Sequence, residues 1–333
     1  MKTYTVAILG VTGAVGQEML QVLQERNFPV EKLVPLASGR SAGNTITFRG
    51  EEIPIREACE SAFAGVDIVL GAAENDIAKA LAPAIRAAGA VFIDNSSAFR
   101  MDPDVPLVVP EVNGSDVKIH KGIISNPNCT TAITLTAVQS LRQLGQITSM
   151  IASSYQAVSG AGVAGPVELE KQMAAYSRGE PLDKQVFPYQ ILCNLIPQIG
   201  PEQEDGYTAE EMKLHYEGRK IMHLPELNVS CTCVRVPVMR SHSISARITF
   251  DRPVSVEVAQ ELLADAPGCR LVDDLPNLQY PMPLDATAQD LVLVGRLRRD
   301  LTDPCSLNLW CCGDQLRKGA ATNAIQIAEI LIG

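Results

Sequence analysis

Along the first part of the chain, short apolar runs alternate with segments whose apolar residues recur at every third or fourth position. The apolar runs predict buried strands at residues 4–9, 32–37, 66–72, 90–93 and 123–125. The segments with helical spacing predict helices at residues 17–26 and 77–88. Strands that alternate with helices in this way are typical of a mostly parallel sheet whose faces are covered by helices.

The pattern changes at about residue 146. Longer apolar segments predict strands at residues 148–155, 229–238, 243–250, 291–297 and 306–311. Helices are predicted at residues 166–176, 208–222, 254–263 and 318–331. Because these strands are longer and fewer helices separate them, we expect an α+β domain with a mixed, largely antiparallel sheet.

Composition and charge narrow the range of functions. The chain has 333 residues, of which 46% are hydrophobic, as expected for about two globular domains. Its net charge of −10 argues against binding to nucleic acid or to an anionic membrane. The sequence shows neither an apolar run long enough to span a membrane nor the pattern of a signal peptide. A cytoplasmic protein is therefore expected.

The cysteines do not form a recognisable metal or disulfide pattern. There are nine of them, and none are spaced as C-x-x-C. Cys231 and Cys233 are separated by one residue, and Cys311 and Cys312 are adjacent. We interpret most of them as reduced, buried thiols in the cytosol, and no metal site is predicted.

A glycine-rich turn follows the first predicted strand and opens the first predicted helix. Gly10, Gly13 and Gly16 are spaced as G-x-x-G-x-x-G, which departs from the common G-x-G-x-x-G pattern. Glycine permits a tight turn and a close approach of the backbone to a pyrophosphate, which the helix N-terminus then faces. The turn therefore favours dinucleotide binding, and the alternative is a glycine-rich turn that binds nothing.

The segment after the second predicted strand bears on the choice of cofactor. NAD sites usually carry an acidic residue there for the ribose hydroxyls, but residues 37–41 read A-S-G-R-S. Ser38, Arg40 and Ser41 are suited to a 2′-phosphate, so NADP is favoured over NAD. The alternative is that Arg40 is only a solvated loop residue.

One cysteine stands out by its position. Residues 124–131 read I-S-N-P-N-C-T-T and lead from a predicted strand into an apolar helix that runs to Leu144. Cys129 is therefore expected at a helix N-terminus, where the helix dipole and unpaired N–H groups favour the thiolate. The alternative is a buried, inert thiol. Of the four histidines, His242 lies between two predicted strands and near Arg235, but the residues alone do not single it out as the proton partner.

Several segments together resemble the aspartate-β-semialdehyde dehydrogenase family. They include V-S-C-T-C-V-R-V-P-V-M-R-S-H-S at 229–243, D-N-S-S-A-F-R-M at 94–101, V-V-P-E-V-N at 108–113 and Y-Q-A-V-S-G-A-G at 155–162. The segments G-V-T-G-A-V-G-Q at the start, S-N-P-N-C-T-T around Cys129 and G-D-Q-L-R-K-G-A-A near the C-terminus match as well. The resemblance extends from one end of the chain to the other.

The resemblance implies a role for each matching residue. Cys129 corresponds to the nucleophile, His242 to the acid/base and Gln156 to the glutamine that orients the acyl group. For the substrate, it implies that Arg100 and Lys213 bind phosphate, that Glu210 binds the ammonium group and that Arg235 binds the α-carboxylate. It also implies that Asn128 contacts the substrate. The residues that it implies for the cofactor are Gly10, Thr12, Gly13, Ala14, Val15, Gly16, Ser38, Arg40, Ser41, Ser159, Gly160 and Asn323.

The resemblance also implies a reaction and an assembly. The reaction is the NADPH-dependent reductive dephosphorylation of L-4-aspartyl phosphate to L-aspartate 4-semialdehyde and phosphate, through a cysteine thioester, in lysine, threonine and methionine biosynthesis. The implied fold is α/β, with a Rossmann-type dinucleotide-binding domain at residues 1–128 and 315–333. An α+β catalytic and dimerisation domain is expected at residues 129–314. The expected assembly is a homodimer, or a homotetramer built from two dimers.

Three other functions fit these residues less well. N-acetyl-glutamyl-phosphate reductase has a nucleophile segment that resembles N-P-G-C-Y, whereas Asn128 precedes Cys129 here and Thr130 follows it. Glyceraldehyde-3-phosphate dehydrogenase has a comparable C-T-T, but the other segments fit it poorly. A non-catalytic NADP-binding redox sensor would not need Cys129, His242 and two arginines together.

Overall fold

The computed structural model describes every residue after Met1 and divides the chain into two compact units. The first unit comprises Met1–Asn128 and Ala320–Gly333, and the second comprises Cys129–Gly319. Between Lys2 and Gly333, no helix is long and apolar enough to cross a membrane.

The first unit is an α/β fold. Up to Asn128 its strands and α-helices, in chain order, are β1 (Tyr4–Leu9), α1 (Ala14–Glu25), β2 (Val30–Ala37), β3 (Thr45–Phe48), β4 (Glu51–Pro54), β5 (Arg56–Glu57), β6 (Ile68–Gly71), α2 (Asn75–Ala87), β7 (Val91–Asp94), α3 (Pro110–Asn113) and β8 (Ile123–Ser125). Six strands form one parallel sheet in the order β5-β2-β1-β6-β7-β8. The predicted parallel sheet is therefore confirmed. The β3–β4 hairpin was not predicted, because its strands are short and largely exposed.

The central strand β1 shows why this sheet is buried on both faces. Val6 and Ile8 belong to one apolar cluster, whereas Ala7 and Leu9 belong to another. Successive side chains of a strand point to opposite faces, so a continuous apolar run supplies both clusters. All four residues are 0–1% exposed.

The second unit contains a different kind of sheet. Its elements are α4 (Cys129–Gln139), β9 (Ile147–Gln156), α5 (Ala164–Ser177), α6 (Ala209–Met222), β10 (Asn228–Arg235), β11 (His242–Phe250), α7 (Val256–Ala264), β12 (Cys269–Leu271), α8 (Pro283–Ala286), β13 (Val292–Arg299) and β14 (Ser306–Gly313). The strand order is β10-β9-β11-β14-β13-β12. The outer pairs β10–β9 and β12–β13 are parallel and the inner pairs are antiparallel. The predicted mixed, largely antiparallel sheet is therefore confirmed.

Most predicted element bounds differ from the observed ones by one to three residues; α1, for example, begins at Ala14 instead of residue 17. Helix α4 ends at Gln139 and continues as a 3₁₀ turn, Ser140–Gln143, instead of running to Leu144. Strand β10 ends at Arg235 instead of residue 238, because Pro237 has no N–H to continue a ladder. The last helix, α9 (Thr322–Ile332), begins after a π-helical turn, Arg317–Ala321, that the helical spacing did not reveal.

Candidate active site

Strand register brings three of the predicted site residues to one edge of the second sheet. Strands β9 and β10 run in parallel and end together, so Gln156 faces Arg235. Strand β11 runs antiparallel to β9 and begins at the same edge with His242. All three side chains are at most 7% exposed. The fold therefore places an amide, a guanidinium and an imidazole together in a buried setting.

Cys129 is the first residue of α4. The first turn of this helix contains no acidic residue, so its positive dipole end is not neutralised locally. A Cβ atom on Gly319 would lie 2.7 Å from the Cβ of Cys129, so the backbone of the π-helical turn packs directly against the cysteine. Helix α4 also packs closely on the second sheet, since a Cβ on Gly313 would lie 2.8 Å from Ile133. These contacts fix the position of the thiol, which is partly exposed.

His242 is completely buried. The backbone N–H of Ala157 donates to its Nδ1 atom at 3.1 Å. Its Nε2 atom is buried and has no hydrogen-bond partner among residues 2–333. Burial, with a smaller contribution from the charge of Arg235, lowers the pKa of His242 to about 3, and the charge of Glu210 opposes the shift. The imidazole is therefore neutral at physiological pH.

Arg235 is held by Ala157, the residue that also bonds to His242. Its Nη1 atom donates to the backbone oxygen of Ala157 at 2.8 Å. Burial lowers the pKa of Arg235, while Glu210, Cys129 and Cys233 oppose that shift. An arginine nevertheless remains charged at physiological pH. The electrostatic interaction with Cys129 shows that the guanidinium and the thiol lie in one neighbourhood of the second unit.

Glu210 links two further predicted site residues. The amide of Gln156 donates to Glu210 Oε1 at 3.2 Å, and Lys213 Nζ lies 2.7 Å from Glu210 Oε2. The hydroxyl of Ser154 donates to Gln156 Oε1 at 2.9 Å and so fixes the orientation of the amide. Helix α6 positions Glu210 through a capping box, formed by Thr208 and Glu211.

Gly160 packs against two buried side chains of this edge. A Cβ on Gly160 would lie 2.8 Å from Arg235 Nη1 and 3.2 Å from His242 Cε1. The sequence assigned Gly160 and Ser159 to the cofactor, and both lie in the second unit, in the turn that follows β9. The side-chain amide of Gln315 donates to the hydroxyl of Ser159.

Arg100 belongs to the first unit, where it supports the turn that follows β8. Its Nε atom donates to the backbone oxygen of Asn126 at 2.9 Å, and its Nη2 atom donates to that of Asn95 at 2.8 Å. The side chain of Asn126 donates to Asn95 Oδ1 at 2.6 Å. Asn128, two residues further along the chain, is buried. Asn95 and Asn126 were missed by the sequence analysis, although each directly follows a strand.

Asn323, predicted to contact the cofactor, is fully buried in α9. Its Nδ2 atom donates to the backbone oxygen of Val108 at 2.9 Å and to Asn126 Oδ1 at 2.6 Å. Through these bonds Asn323 has a structural role in the first unit, where it belongs to the same network of side-chain amides as Asn95 and Asn126.

The glycine-rich turn has the shape that a dinucleotide requires. Gly10 has a φ of +89°, and a Cβ on it would lie 2.6 Å from the backbone oxygen of Ala72. A Cβ on Gly16 would lie 2.3 Å from the backbone oxygen of Gly10. No side chain caps the N-terminus of α1 at Gly13, so the N–H groups of the first turn are available to an anion. Thr12 lies in the same turn, and Ala14 and Val15 are the first two residues of α1.

A cavity of about 420 Å³ adjoins this turn. Its lining is mostly apolar and comprises Leu9, Gly10, Thr12, Gly13, Ala37, Ser38, Ala58, Ala72, Ala73, Glu74, Ile77, Ala80 and Leu81. An apolar cavity beside an open helix N-terminus suits an adenosine group that is joined to a pyrophosphate. The residues of the first unit therefore fit a dinucleotide.

The loop after β2 contains one feature that the sequence analysis missed. Ser38 and Arg40 are exposed, and the backbone N–H of Ser41 donates to the oxygen of Ser38 at 2.9 Å. Strand β5 pairs with β2 so that Glu57 faces Ala37. A Cβ on Gly39 would lie 2.9 Å from Glu57 Oε1. A carboxylate from a different strand therefore lies beside the loop, although the loop itself has no acidic residue.

Two further observations concern metals and disulfides. In residues 2–333, no group of three or more histidine, cysteine or acidic side chains is arranged to hold a metal ion. The Sγ atoms of Cys231 and Cys233 are 3.7 Å apart, which is a contact between thiols and not a bond.

Known protein families match both parts of the chain. A family described as semialdehyde dehydrogenase, NAD binding domain, matches residues 5–120, and one described as semialdehyde dehydrogenase, dimerisation domain, matches residues 138–318. The chain is 49% identical to an aspartate-semialdehyde dehydrogenase from Synechocystis sp., over 98% of this chain and 97% of that protein.

Solved structures agree with these matches. Aspartate semialdehyde dehydrogenase II from Vibrio cholerae, complexed with ASA, has a TM-score of 0.96 and is 41% identical, covering 100% of this chain and 99% of that one. Aspartate semialdehyde dehydrogenase with NADP from Candida albicans has a TM-score of 0.77 and is 26% identical, over 99% of each chain. The resemblance found in the sequence is therefore confirmed, and the chain belongs to the aspartate-semialdehyde dehydrogenase family, whose members are oxidoreductases.

Proposed function

We propose that the protein catalyses the NADPH-dependent reductive dephosphorylation of L-4-aspartyl phosphate to L-aspartate 4-semialdehyde and phosphate. The observation that carries this proposal is the strand register that puts Gln156, Arg235 and His242 at one buried edge of the second sheet. Family membership supports the same reaction, as does the likeness to the Vibrio cholerae enzyme that was solved with ASA. The pathway would be the biosynthesis of lysine, threonine and methionine.

Cys129 is the proposed nucleophile. Its position at the N-terminus of α4 favours the thiolate, because the dipole and the N–H groups of the first turn stabilise negative charge. The thiolate attacks the acyl phosphate, a C–S bond forms and the bond from carbon to the phosphate oxygen breaks. The enzyme then carries an aspartyl thioester on Cys129. Gln156 is proposed to orient the acyl group and His242 to act as acid/base at the reacting carbonyl.

The charged residues are proposed to bind different groups of the substrate. The planar guanidinium of Arg235 can form two parallel hydrogen bonds to the α-carboxylate. Glu210 would receive the ammonium group, with Gln156 already donating to one of its oxygens. Lys213 and Arg100 are proposed for phosphate, and Asn128 as a further substrate contact. Because Lys213 is paired with Glu210 in this structure, phosphate has to compete for its ammonium group.

The first unit is proposed to bind the cofactor through its glycine-rich turn and the loop after β2. NADPH would supply the hydride that reduces the thioester carbonyl. Gly10, Gly13 and Gly16 leave room for the pyrophosphate, and Ser38, Arg40 and Ser41 are suited to the 2′-phosphate. We propose residues 1–128 with 315–333 as the NADP-binding domain and residues 129–314 as the catalytic and dimerisation domain.

A homodimer and a cytoplasmic location are proposed for the protein. The match to a dimerisation domain supports a dimer, and light scattering would distinguish it from the alternative, a tetramer of two dimers. A cytoplasmic location is proposed from the nine cysteines, none of which forms a disulfide within residues 2–333.

The direct test is the reverse reaction. Aspartate semialdehyde, NADP and phosphate should give NADPH with the wild-type protein, and omission of phosphate should abolish steady turnover. A wild type that turns over equally well without phosphate would contradict the proposal, as would one that prefers N-acetyl-glutamate semialdehyde. Cys129→Ala, purified in parallel, is the control for contaminating activity.

A further inference from the structure

Helix α5 has a buried face that is partly polar. The buried residues of this helix are Gly165, Glu168, Leu169 and Gln172. Glu168 and Gln172 are four residues apart and are therefore neighbours on the helix surface. Because a buried polar side chain is normally satisfied by hydrogen bonds, this pair is expected to bond to another segment of the chain.

Glu168 bonds to the first part of a segment that we call the 183–192 loop. Its Oε2 atom accepts hydrogen bonds from the backbone N–H groups of Gln185, at 2.7 Å, and of Val186. Its Oε1 atom accepts from Gln172 Nε2 at 3.2 Å. A carboxylate accepts hydrogen bonds and donates none, so it is suited to a place where several N–H groups converge.

Gln172 bonds to both ends of the same loop. Its Nε2 atom donates to the backbone oxygen of Asp183 at 2.8 Å, and its Oε1 atom accepts from the N–H groups of Ile191, at 3.2 Å, and Leu192, at 2.9 Å. Irregular backbone still needs hydrogen-bond partners, and here two side chains of α5 supply them. Glu168 and Gln172 therefore hold the 183–192 loop against α5.

Phe187 lies in this loop, between the residues whose N–H groups bond to Glu168 and those whose N–H groups bond to Gln172. Pro188 follows it, and a residue before proline is restricted to extended backbone conformations. The ring is buried in an apolar cluster with Val158, Leu169, Ile191 and Ile196. The loop therefore presents one aromatic ring at a fixed place.

The ring of Phe187 contacts Arg235. The guanidinium carbon of Arg235 lies over the ring, 5.9 Å from its centroid, which is within the range of a cation–π interaction. The backbone N–H of Arg235 donates to the oxygen of Ile196 at 2.8 Å, and the N–H of Ile196 donates to that of Arg235 at 3.0 Å. The guanidinium also donates to Ala157, so it is held both by the ring and by a hydrogen bond from one nitrogen.

We infer that Phe187 is a positioning residue for the α-carboxylate of the substrate, because its ring holds the guanidinium of Arg235 in one orientation. This inference deepens the proposed function and rests on it. Two parallel hydrogen bonds between a guanidinium and a carboxylate require both groups to lie in one plane, so a guanidinium that tilts loses one of them. Glu168 and Gln172 act one step further away, since they hold the loop that carries the ring.

Kinetics on Phe187→Leu test this role. Leucine keeps an apolar side chain in the cluster and removes the ring. We expect the KM for aspartate semialdehyde to rise about tenfold, which is the size expected for the loss of a buried cation–π interaction. The KM values for phosphate and NADP and the value of kcat should stay close to those of the wild type. Equal changes in all three KM values, or a fall in kcat alone, would overturn the inference.

Two matched controls separate the ring from general damage. Ile191→Val removes a comparable volume from the same cluster and keeps the N–H group that bonds to Gln172. Tyr189→Leu removes an exposed ring from the same loop. Both variants should keep the wild-type KM for aspartate semialdehyde. A tenfold rise in Ile191→Val would show that packing of the cluster, and not the ring, sets this KM, and would contradict the inference.

Glu168→Gln tests how the loop is held. The new amide would direct N–H groups at Gln172 Nε2, which is itself a donor, so one of the bonds within this pair or to the loop is lost. We expect the KM for aspartate semialdehyde to rise in the same selective way as in Phe187→Leu, by a smaller factor. A folded Glu168→Gln with the wild-type KM would contradict the part assigned to Glu168. If this variant does not fold, the measurements on Phe187 still decide.

The contact itself can be read without turnover, by ¹⁵N NMR of substrate-free protein labelled at arginine. The Nε–H signal of Arg235 is assigned by its absence in Arg235→Lys. The ring current of Phe187 acts on this group, so the signal should move in Phe187→Leu and stay in place in Tyr189→Leu. An unmoved signal in Phe187→Leu would overturn the inference. Lack of phosphate-dependent NADPH formation in the wild type would instead refute the proposed reaction, and the NMR result would remain readable in that case.

Discussion

The glycine-rich turn of the first unit and the sheet edge of the second unit are built from different kinds of sequence information. The turn lies within a few consecutive residues, and Gly10 and Gly16 are required by contacts with near neighbours or with the adjoining strand. At the edge of the second sheet, Gln156, Arg235 and His242 lie on three different strands and are brought together by the register of those strands. A local pattern can be recognised in a single sequence. A strand register cannot be recognised in this way, because it depends on pairing between segments that are distant in the chain.

The two regions also differ in burial, which sets the size of the effects expected from mutation. Ser38 and Arg40 are exposed, so water and salt screen their electrostatic interactions with a bound ligand. Gln156, Arg235 and His242 are at most 7% exposed, and electrostatic interactions are stronger there. Variants at the sheet edge should therefore lose more activity than variants in the cofactor loop.

The largest effect is expected at Cys129. Cys129→Ser should lose nearly all turnover, because a hydroxyl at this position is a far weaker nucleophile than a thiolate. NADP should still bind with its wild-type Kd, since the first unit is unchanged, and fluorescence titration measures this. Substantial activity in Cys129→Ala would show that Cys129 is not the nucleophile.

The next effect is expected at His242. His242→Asn should lower kcat by about 10²–10⁴-fold, the range for loss of a positioned proton or hydrogen-bond donor, with a modest change in KM. Steady-state kinetics at a saturating NADP concentration provides the measurement. A kcat close to that of the wild type would make the histidine structural.

Variants of Arg235 and variants of the proposed phosphate-binding residues, Arg100 and Lys213, should affect the KM values of different substrates. Arg235→Lys should raise the KM for aspartate semialdehyde much more than the KM for phosphate, because an ammonium group cannot form the bidentate fork. Arg100→Ala and Lys213→Ala should do the opposite. Equal effects of all three variants on both KM values, measured by steady-state kinetics, would contradict the assignment of separate anion sites.

The smallest effects are expected in the cofactor loop. Arg40→Ala should raise the KM for NADP by roughly tenfold and leave that for NAD nearly unchanged, because it removes a charged hydrogen bond at an exposed position. Glu57→Gln should act in the opposite direction and lower the KM for NADP by at most about fivefold, since it removes a carboxylate near the proposed 2′-phosphate.

Kinetics with both cofactors on the wild type and these two variants would sharpen the comparison. A wild type with equal kcat/KM for NADP and NAD would refute the predicted preference. A Glu57→Gln variant that loses affinity for NAD alone would show that the carboxylate binds the ribose hydroxyls instead.

Much of the fold followed from the sequence because apolar spacing reports burial directly. The run Tyr4–Leu9 is buried on both faces and was predicted with its observed bounds. The positions of Ala157 and Glu57 could not be predicted. Ala157 acts through backbone groups, and Glu57 reaches Gly39 only because β5 pairs with β2. The family resemblance supplied the roles of Gln156 and Glu210, which residue type alone does not indicate.

The central claim is that Cys129 becomes acylated, and a single turnover without phosphate tests it most directly. Wild-type protein is mixed with aspartate semialdehyde and NADP, quenched in acid and digested for mass spectrometry. We predict a burst of NADPH equal to the number of active sites and an aspartyl adduct on the peptide that contains Cys129. A burst without an adduct there, or an equal burst in Cys129→Ala, would contradict the claim.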